Sequence, residues 1–390
     1  MKLTLLVDLD DTLLSNQMEL FEPAYLKALS KHLSNHVRPD VMLRELLSAT
    51  RQMITNTQPD STLETVFDQA FYPAIGTSKP AISAVIAQFY REVFPGLKGV
   101  TSPKPDAARF IEWAHKKGHR VVVATNPLFP HTAIDQRLAW AGFPIDQYHF
   151  DLITSYESFH FAKPNPFYIA EILAQLGWPD EPTIMIGNDA KDDISPAVQL
   201  GLATFWVNSQ PANNQSLPVG VTRYGSLDDL IKWLDSNEGL AIQKETLTAP
   251  DSCLAILNAN LSALLTLTNL WPDTHPEQLS NLIGYWCDIE TMRNLPWIQQ
   301  VLQEENPLLA DHSPVPATTP IRDGKQALTE FSTARLSTIA LLSHLTPQDW
   351  RRPLRHPTLG ESNLAALISL IAGEDQVWMR RCWQVVSQHS

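Results

Sequence analysis

Leu3-Thr4-Leu5-Leu6-Val7-Asp8-Leu9-Asp10-Asp11-Thr12 decides how this chain is read. An apolar run this short, halted by carboxylates, reads as a buried strand that delivers acids to its carboxyl end. That edge is where open α/β sheets carry their chemistry. Asp8 and Asp10 are two residues apart, so on a strand continuing through them both face one side, close enough to share a divalent cation. An acidic turn after an ordinary strand would use the same letters. The residues further along decide between the two.

Outward from that stretch the pattern changes twice. Residues 15–97 read as helix after helix with no strand candidates, from the spacing of Leu26, Leu29 and Leu33, of Leu43, Leu46 and Leu47, and of Ile82, Val85, Ile86 and Phe89. Pro39, Pro59, Pro73 and Pro80 punctuate the breaks. From Pro105 onward, helices alternate with apolar strands at residues 119–124, near Leu152 and Ile153, at 183–186 and at 203–207. Strands alternating with helices mean a parallel sheet whose carboxyl ends line one edge. The second strand runs into Thr125-Asn126 and the fourth into Gly187-Asn188-Asp189-Ala190-Lys191-Asp192-Asp193, with Ala162-Lys163-Pro164-Asn165-Pro166 between them.

Composition bounds the partners. The chain has 390 residues, 44% hydrophobic and 18% charged, which is enough apolar material for more than one core. The net charge of −13 argues against general affinity for nucleic acid or an anionic membrane. No membrane span is expected, and the apolar run after Lys2 meets aspartates too early for a signal peptide, so a cytoplasmic location is expected. Cys253, Cys287 and Cys382 form no Cys-x-x-Cys pair and are expected as buried helix residues.

The ordered set Asp8-x-Asp10-x-Thr12, Thr125, Lys163 and the acidic loop after Gly187 resembles the haloacid dehalogenase-like (HAD) superfamily over roughly residues 1–235. The resemblance implies a Rossmann-like α/β core at 1–14 and 98–238, with residues 15–97 as an inserted helical cap. It implies a phosphatase acting on a small phosphorylated metabolite. Asp8 would be the nucleophile that forms an aspartyl phosphate. Asp10 would be the acid that protonates the leaving oxygen and then the base for water, so the two pKa values must be pushed apart. Thr125, Asn126 and Lys163 would bind the phosphoryl group, and Mg²⁺ would be held among Asp8, Asp10, Asp189 and Asp193. Where many relatives have Asp directly after the glycine this chain has Asn188. Asp189 is the first choice of ligand there and Asp193 the second, with Asp192 turned to solvent or capping the next helix. Family members that dehalogenate lack the second acid, so Asp10 points to phosphoryl transfer. A phosphomutase would use the same residues, and a catalytically weak scaffold is the reading that Asn188 keeps open. In the cap, Arg44 and Arg51 are weak substrate candidates, more in keeping with a solvated helix face.

Residues 239–250 read as a linker, and residues 251–390 as four amphipathic helices in a bundle. A long connection, residues 306–323, contains Pro307, Pro314, Pro316 and Pro320. Asp288-Ile289-Glu290, Asn306-Pro307, residues 345–350, His356-Pro357-Thr358-Leu359-Gly360 and Glu374-Asp375 resemble the DinB-like bundle family. Members often hold a divalent metal on three histidines. The corresponding positions here are Tyr285, Glu374 and Trp378, which implies a bundle without that metal, serving packing, self-association or small-molecule binding. His344 and His356 are expected near helix ends or loops in solvated or capping roles.

Overall fold

The computed structural model describes residues 2–208, 220–242, 247–269, 276–310 and 323–389. They form two compact units, Met1–Tyr168 with Pro179–Glu245, and Ile169–Trp178 with Thr246–Ser390.

The first unit is built on a parallel sheet. Its strands are β1 (Thr4–Val7), β4 (Arg120–Val123), β5 (Leu152–Ile153), β6 (Thr183–Gly187), β7 (Ala203–Val207) and β8 (Arg223–Gly225), in the order β5-β4-β1-β6-β7-β8. β1 lies in the middle, with Val7 level with Val123 on one side and Ile186 on the other. All four residues of β1 are buried, as a strand covered on both faces requires. Along the chain, α5 (Pro105–Lys116), α6 (His131–Ala141), α7 (Pro166–Gln175) and α8 (Ser195–Gln199) fall between these strands, and α9 (Leu227–Leu234) and the short α10 (Asn237–Leu240) follow β8. β8 was not apparent from the sequence, because three exposed or half-buried residues carry no apolar signal.

The insert contains α1 (Met18–Leu33), α2 (Pro39–Ile54), α3 (Leu63–Ala74) and α4 (Lys79–Gln88), followed by a π-helical turn at Phe89–Val93 and a 3₁₀ segment at Phe94–Val100. It is not purely helical. The chain enters through β2 (Leu14–Asn16) and leaves through β3 (Thr101–Pro103), which pair antiparallel, Asn16 opposite Thr101. The expectation of no strand in residues 15–97 therefore fails at Ser15 and Asn16. Three-residue strands are too short for a period of two to register.

The second unit packs α11 (Pro250–Thr268), α12 (Glu277–Ile289), α14 (Gly324–Ser343) and α15 (Leu364–His389). α12 runs through a π-helical turn, Glu290–Asn294, into α13 (Leu295–Gln303), and a hairpin of β9 (Pro353–His356) and β10 (Gly360–Asn363) precedes α15. α11 is long and apolar enough to cross a membrane, but most of it is buried within the protein. Ile169–Trp178 completes this unit. The Trp178 indole donates to Asn260 Oδ1 at 2.7 Å, and the Arg380 guanidinium donates to the Trp178 carbonyl at 2.7 Å. Gly177, at φ +71°, has the Trp383 ring 2.8 Å from where a Cβ would sit, so both backbone and space exclude other residues. Cys253, Cys287 and Cys382 form no disulfide and are buried on α11, α12 and α15. Of the expected linker and the long connection, residues 243–246 and 311–322, with Pro314, Pro316 and Pro320, lie outside the described residues.

Candidate active site

β1 stops at Val7, and the next amide, of Asp8, still donates to the Ile186 carbonyl at 2.9 Å while Ala124 donates to Val7 at 2.7 Å. The sheet therefore sets Asp8 beside the ends of β4 and β6. The Lys163 ammonium joins them, 2.7 Å from Asp8 Oδ1 and 2.6 Å from Asp193 Oδ1. All three side chains are shielded, with exposures of 6% for Asp8, 3% for Lys163 and 1% for Asp193. Burial alone would strip the proton from Lys163, but the carboxylates of Asp193 and Asp8 outweigh it and hold the ammonium well above its ordinary value. Burial pushes Asp193 up to about 7, against the pull of Lys163 and with the Asp8 charge adding to the rise.

Asp193 reaches this position by folding back over β6. Its Oδ2 accepts from the Asp189 amide at 2.9 Å, and a Cβ on Gly187 would collide with its carboxylate, so only glycine fits there. Thr125 is buried at the end of β4, its carbonyl accepting from the hydroxyls of Thr154 and Tyr168 at 2.7 Å each. Asn126 Oδ1 accepts from the Lys163 amide at 3.2 Å, which ties the Lys163 loop to the loop after β4.

The acids of the fourth loop divide their work differently from the sequence expectation. Asp189 is exposed, and its Oδ1 accepts from the amides of Lys191 and Asp192 at 2.7 and 2.8 Å, so Asp189 rather than Asp192 is the cap. Asp193 is the acid that converges with Asp8. Asn188 Oδ1 accepts from Thr12 Oγ1 at 3.1 Å and its carbonyl accepts from the Trp206 indole at 2.8 Å, so this residue fastens the fourth loop to the first.

Asp10 also departs from expectation. The strand does not continue through it, because Asp11 turns the chain at φ +54° and the Asp11 amide donates to Leu14 at 2.7 Å. Asp10 Oδ1 accepts from Asn16 Nδ2 at 2.8 Å and pairs with the guanidinium of Arg137. Arg137 is 1% exposed and lies between the rings of Phe21 and Phe129, each 5.3 Å from its centre. Burial lowers its pKa to about 10, so it remains a cation at neutral pH. The sequence reading missed Arg137. Its signal was an arginine on the face of α6 that also carries the buried Ala133, Ile134, Leu138 and Ala141, and arginine is fully buried only when paired.

The side-chain donors at Asp8 and Asp193 are carboxyl oxygens gathered on one ammonium. Among the described residues no group of three or more metal-binding side chains occurs. Oxygen donors of this kind suit Mg²⁺, which is bound through one or two carboxylates and otherwise keeps its waters. In the cap, Arg44 pairs with Glu45 and Arg51 is exposed, as solvated helix faces are.

In the second unit, the rings of Tyr285 and Trp378 meet edge to face at 5.1 Å, and Glu374 is paired with Arg293. Behind them lies a buried cluster. The Arg335 guanidinium donates to both oxygens of Glu290 at 3.0 Å and to Asp375 at 2.6 and 2.8 Å. Thr338, Asn294, Trp286 and Asn260 supply the remaining donors. His344 is exposed, but His356 is not solvated. It is 7% exposed, accepts from the amides of Thr358 and Leu359, and packs edge-on against Trp297.

A sequence model of the haloacid dehalogenase-like hydrolases matches residues 3–201. The pyrimidine 5'-nucleotidase YjjG of Escherichia coli K12 is 36% identical over 74 residues, 19% of this chain and 32% of its own length, so the chain matches about a third of that relative. The solved 2-haloacid dehalogenase of Pseudomonas syringae pv. Tomato DC3000 is 20% identical, covering 60% of this chain and 98% of its own at a TM-score of 0.43. The four-helix-bundle protein YfiT of Bacillus subtilis covers 36% of this chain and 86% of its own, at 16% identity and a TM-score of 0.30. With half the chain matched by that family, and an aspartate, a threonine, a lysine and an acidic loop gathered at one sheet edge, the chain belongs to the haloacid dehalogenase-like hydrolases.

Proposed function

We propose that the first unit hydrolyses a small phosphomonoester through an aspartyl phosphate on Asp8. The observation that carries this reading is the Lys163 ammonium held between the carboxylates of Asp8 and Asp193, next to Thr125 at the neighbouring strand end. The ammonium offsets the charge of an incoming phosphoryl group. An oxygen of Asp8 attacks phosphorus, the bond from phosphorus to the ester oxygen breaks, and the departing alcohol takes a proton from Asp10. Water then attacks the aspartyl phosphate, Asp10 accepts its proton, and phosphate leaves with Asp8 regenerated. Asn16 and Arg137 both donate to Oδ1 of Asp10, which leaves Oδ2 for that exchange. The Thr125 hydroxyl and nearby amides serve the equatorial phosphoryl oxygens. Bound by Asp8 and Asp193, Mg²⁺ would supply the further positive charge that two carboxylates and a phosphate require.

The test is turnover of a broad phosphate-ester panel by the full chain with Mg²⁺, together with beryllium fluoride as a mimic of the phosphorylated aspartate. Phosphate release and beryllium fluoride bound at Asp8 are expected. Absence of both overturns the reading.

A further inference from the structure

The reading above leaves the alcohol half of the ester without a site. Within the first unit, the insert helices and the loop after Asn126 enclose a cavity of about 300 Å³. One wall is Leu128, Phe129 and Pro130, which begins two residues beyond Asn126 and is held to it by the Leu128 amide at 2.8 Å. The facing wall comes from α1, α2 and α3, with Tyr25, Leu46 and Phe71 among its residues. Phe21 and Phe129 line the cavity and also clamp Arg137, which holds Asp10. Two rings of the cavity wall are therefore also the clamp on the arginine that pairs with Asp10, the residue assigned to protonate a leaving alcohol.

Its chemistry is one-sided. Among the described residues the only charged side chain in the lining is Glu22, exposed on α1, and no cation faces the interior. The polar groups are chiefly tyrosine hydroxyls, two of which, Tyr25 and Tyr90, satisfy each other at 3.1 Å. Burial pushes Tyr25 and Tyr72 up to about 12, the mark of surroundings that disfavour charge. Met18 and Leu47 leave apolar surface at the mouth, each 40% exposed. A second phosphate or a carboxylate on the substrate would find no counter-charge here and would lose its water. A sugar would leave most of its hydroxyls unpaired.

We infer that this cavity receives the alcohol portion of the ester, and that the substrates are phosphate monoesters of uncharged, mainly apolar alcohols. The inference rests on the phosphatase reading and narrows it.

Primary alkyl esters test it, since ethyl, butyl and hexyl phosphate share one leaving-group chemistry. With the full chain and Mg²⁺, kcat/KM should climb roughly threefold to fourfold per added methylene, the worth of burying one CH₂. The gain should appear in KM, as binding made equally in ground and transition states does. A hexyl ester ending in a carboxylate should lose that gain, and uridine monophosphate should fall below hexyl phosphate. Thr50→Phe, which narrows the cavity, should flatten the series. Leu47→Lys, a change at the exposed mouth, should weaken hexyl phosphate severalfold and favour the carboxylated ester. Independently of turnover, the neutral fluorophore N-phenyl-1-naphthylamine should bind, be displaced by 1-hexanol, and be lost in Thr50→Phe. Turnover with a flat series, or with the carboxylated ester or uridine monophosphate preferred, overturns the inference and leaves the phosphatase reading standing. No turnover of any ester, with the fluorophore still bound, overturns the phosphatase reading and with it the placement of a substrate alcohol here.

Discussion

Substitutions of the two acids after β1 should fail differently. Asp8→Asn removes the nucleophile, so both phosphoenzyme and turnover vanish, whereas Asp10→Asn removes only proton exchange and costs roughly 10² to 10⁴ in rate. Equal residual activity in the two variants would contradict the assignment. Arg137 acts through Asp10, so Arg137→Met should lower kcat with little change in KM, and the double variant with Asp10→Asn should be hardly slower than Asp10→Asn alone. Additive losses would instead give Arg137 a separate task. In the fourth loop, Asp189→Ala deletes a cap worth about 1 kcal/mol, while Asp193→Asn removes a carboxylate from beside Asp8. Only the second should raise the Mg²⁺ concentration needed for half-maximal phosphate release. Asp8, Thr125 and Lys163 were legible in the sequence because each sits at the end of an element whose order in the chain fixes its position on the sheet edge. Arg137 was not, because it lies 127 residues from its partner Asp10 and only the fold brings α6 beside the loop after β1. That Asp189 is the cap and Asp193 the acid beside Asp8 was equally hidden, since three acids within five residues do not reveal which one folds back.

Among the elements, α12, α14 and α15 are joined by charge inside their apolar packing. Arg335 and Glu290 are fully buried and Asp375 nearly so, and removing the cation leaves two acids without it. Arg335→Met should therefore destabilise this unit by about 3 to 5 kcal/mol, read as faster hydrogen exchange in peptides from α12 and α14 of the full chain. Burial alone would raise the pKa of Glu290, but Arg335, with Thr338 and Asn294, holds it below the ordinary value of 4.5. Its contribution to stability is thus present above that value and is lost as the pH falls through the lower folded value. Asp375 has the opposite sign. Burial raises it despite Arg335, so its contribution fades as the pH rises through its folded value. Glu290→Gln should lower protection at neutral pH and flatten the acid limb of exchange in the same peptides. An unchanged acid limb would remove Glu290 from that role. Glu290 and Asp375 both lie in phrases that resembled a known bundle family, yet nothing in a linear pattern shows that they meet on one arginine. The long helices were readable because an apolar stripe repeated over three or more turns is a strong signal. The ribbon of β2 and β3 was not, being two three-residue strands whose pairing is set by the chain on either side of an entire inserted domain.

Across the whole molecule, alternation of strand and helix was sufficient to foresee a parallel sheet, and a change of periodicity after the linker was sufficient to foresee a helical bundle. What no pattern disclosed is that residues 169–178 follow an alternating α/β rhythm and yet belong to the second unit. α7 contributes its first three residues to one unit and the remainder to the other. A cut between residues 242 and 247 would therefore not yield two self-sufficient proteins. The shorter piece would lack the indole that donates to Asn260 and the glycine against which Trp383 lies. The longer piece would carry that segment with its partners gone. Expressed apart, the halves should be poorly soluble. Expressed together as separate chains they should purify as one species, a fragment complementation in which a donated peptide stands in for the missing covalent bond.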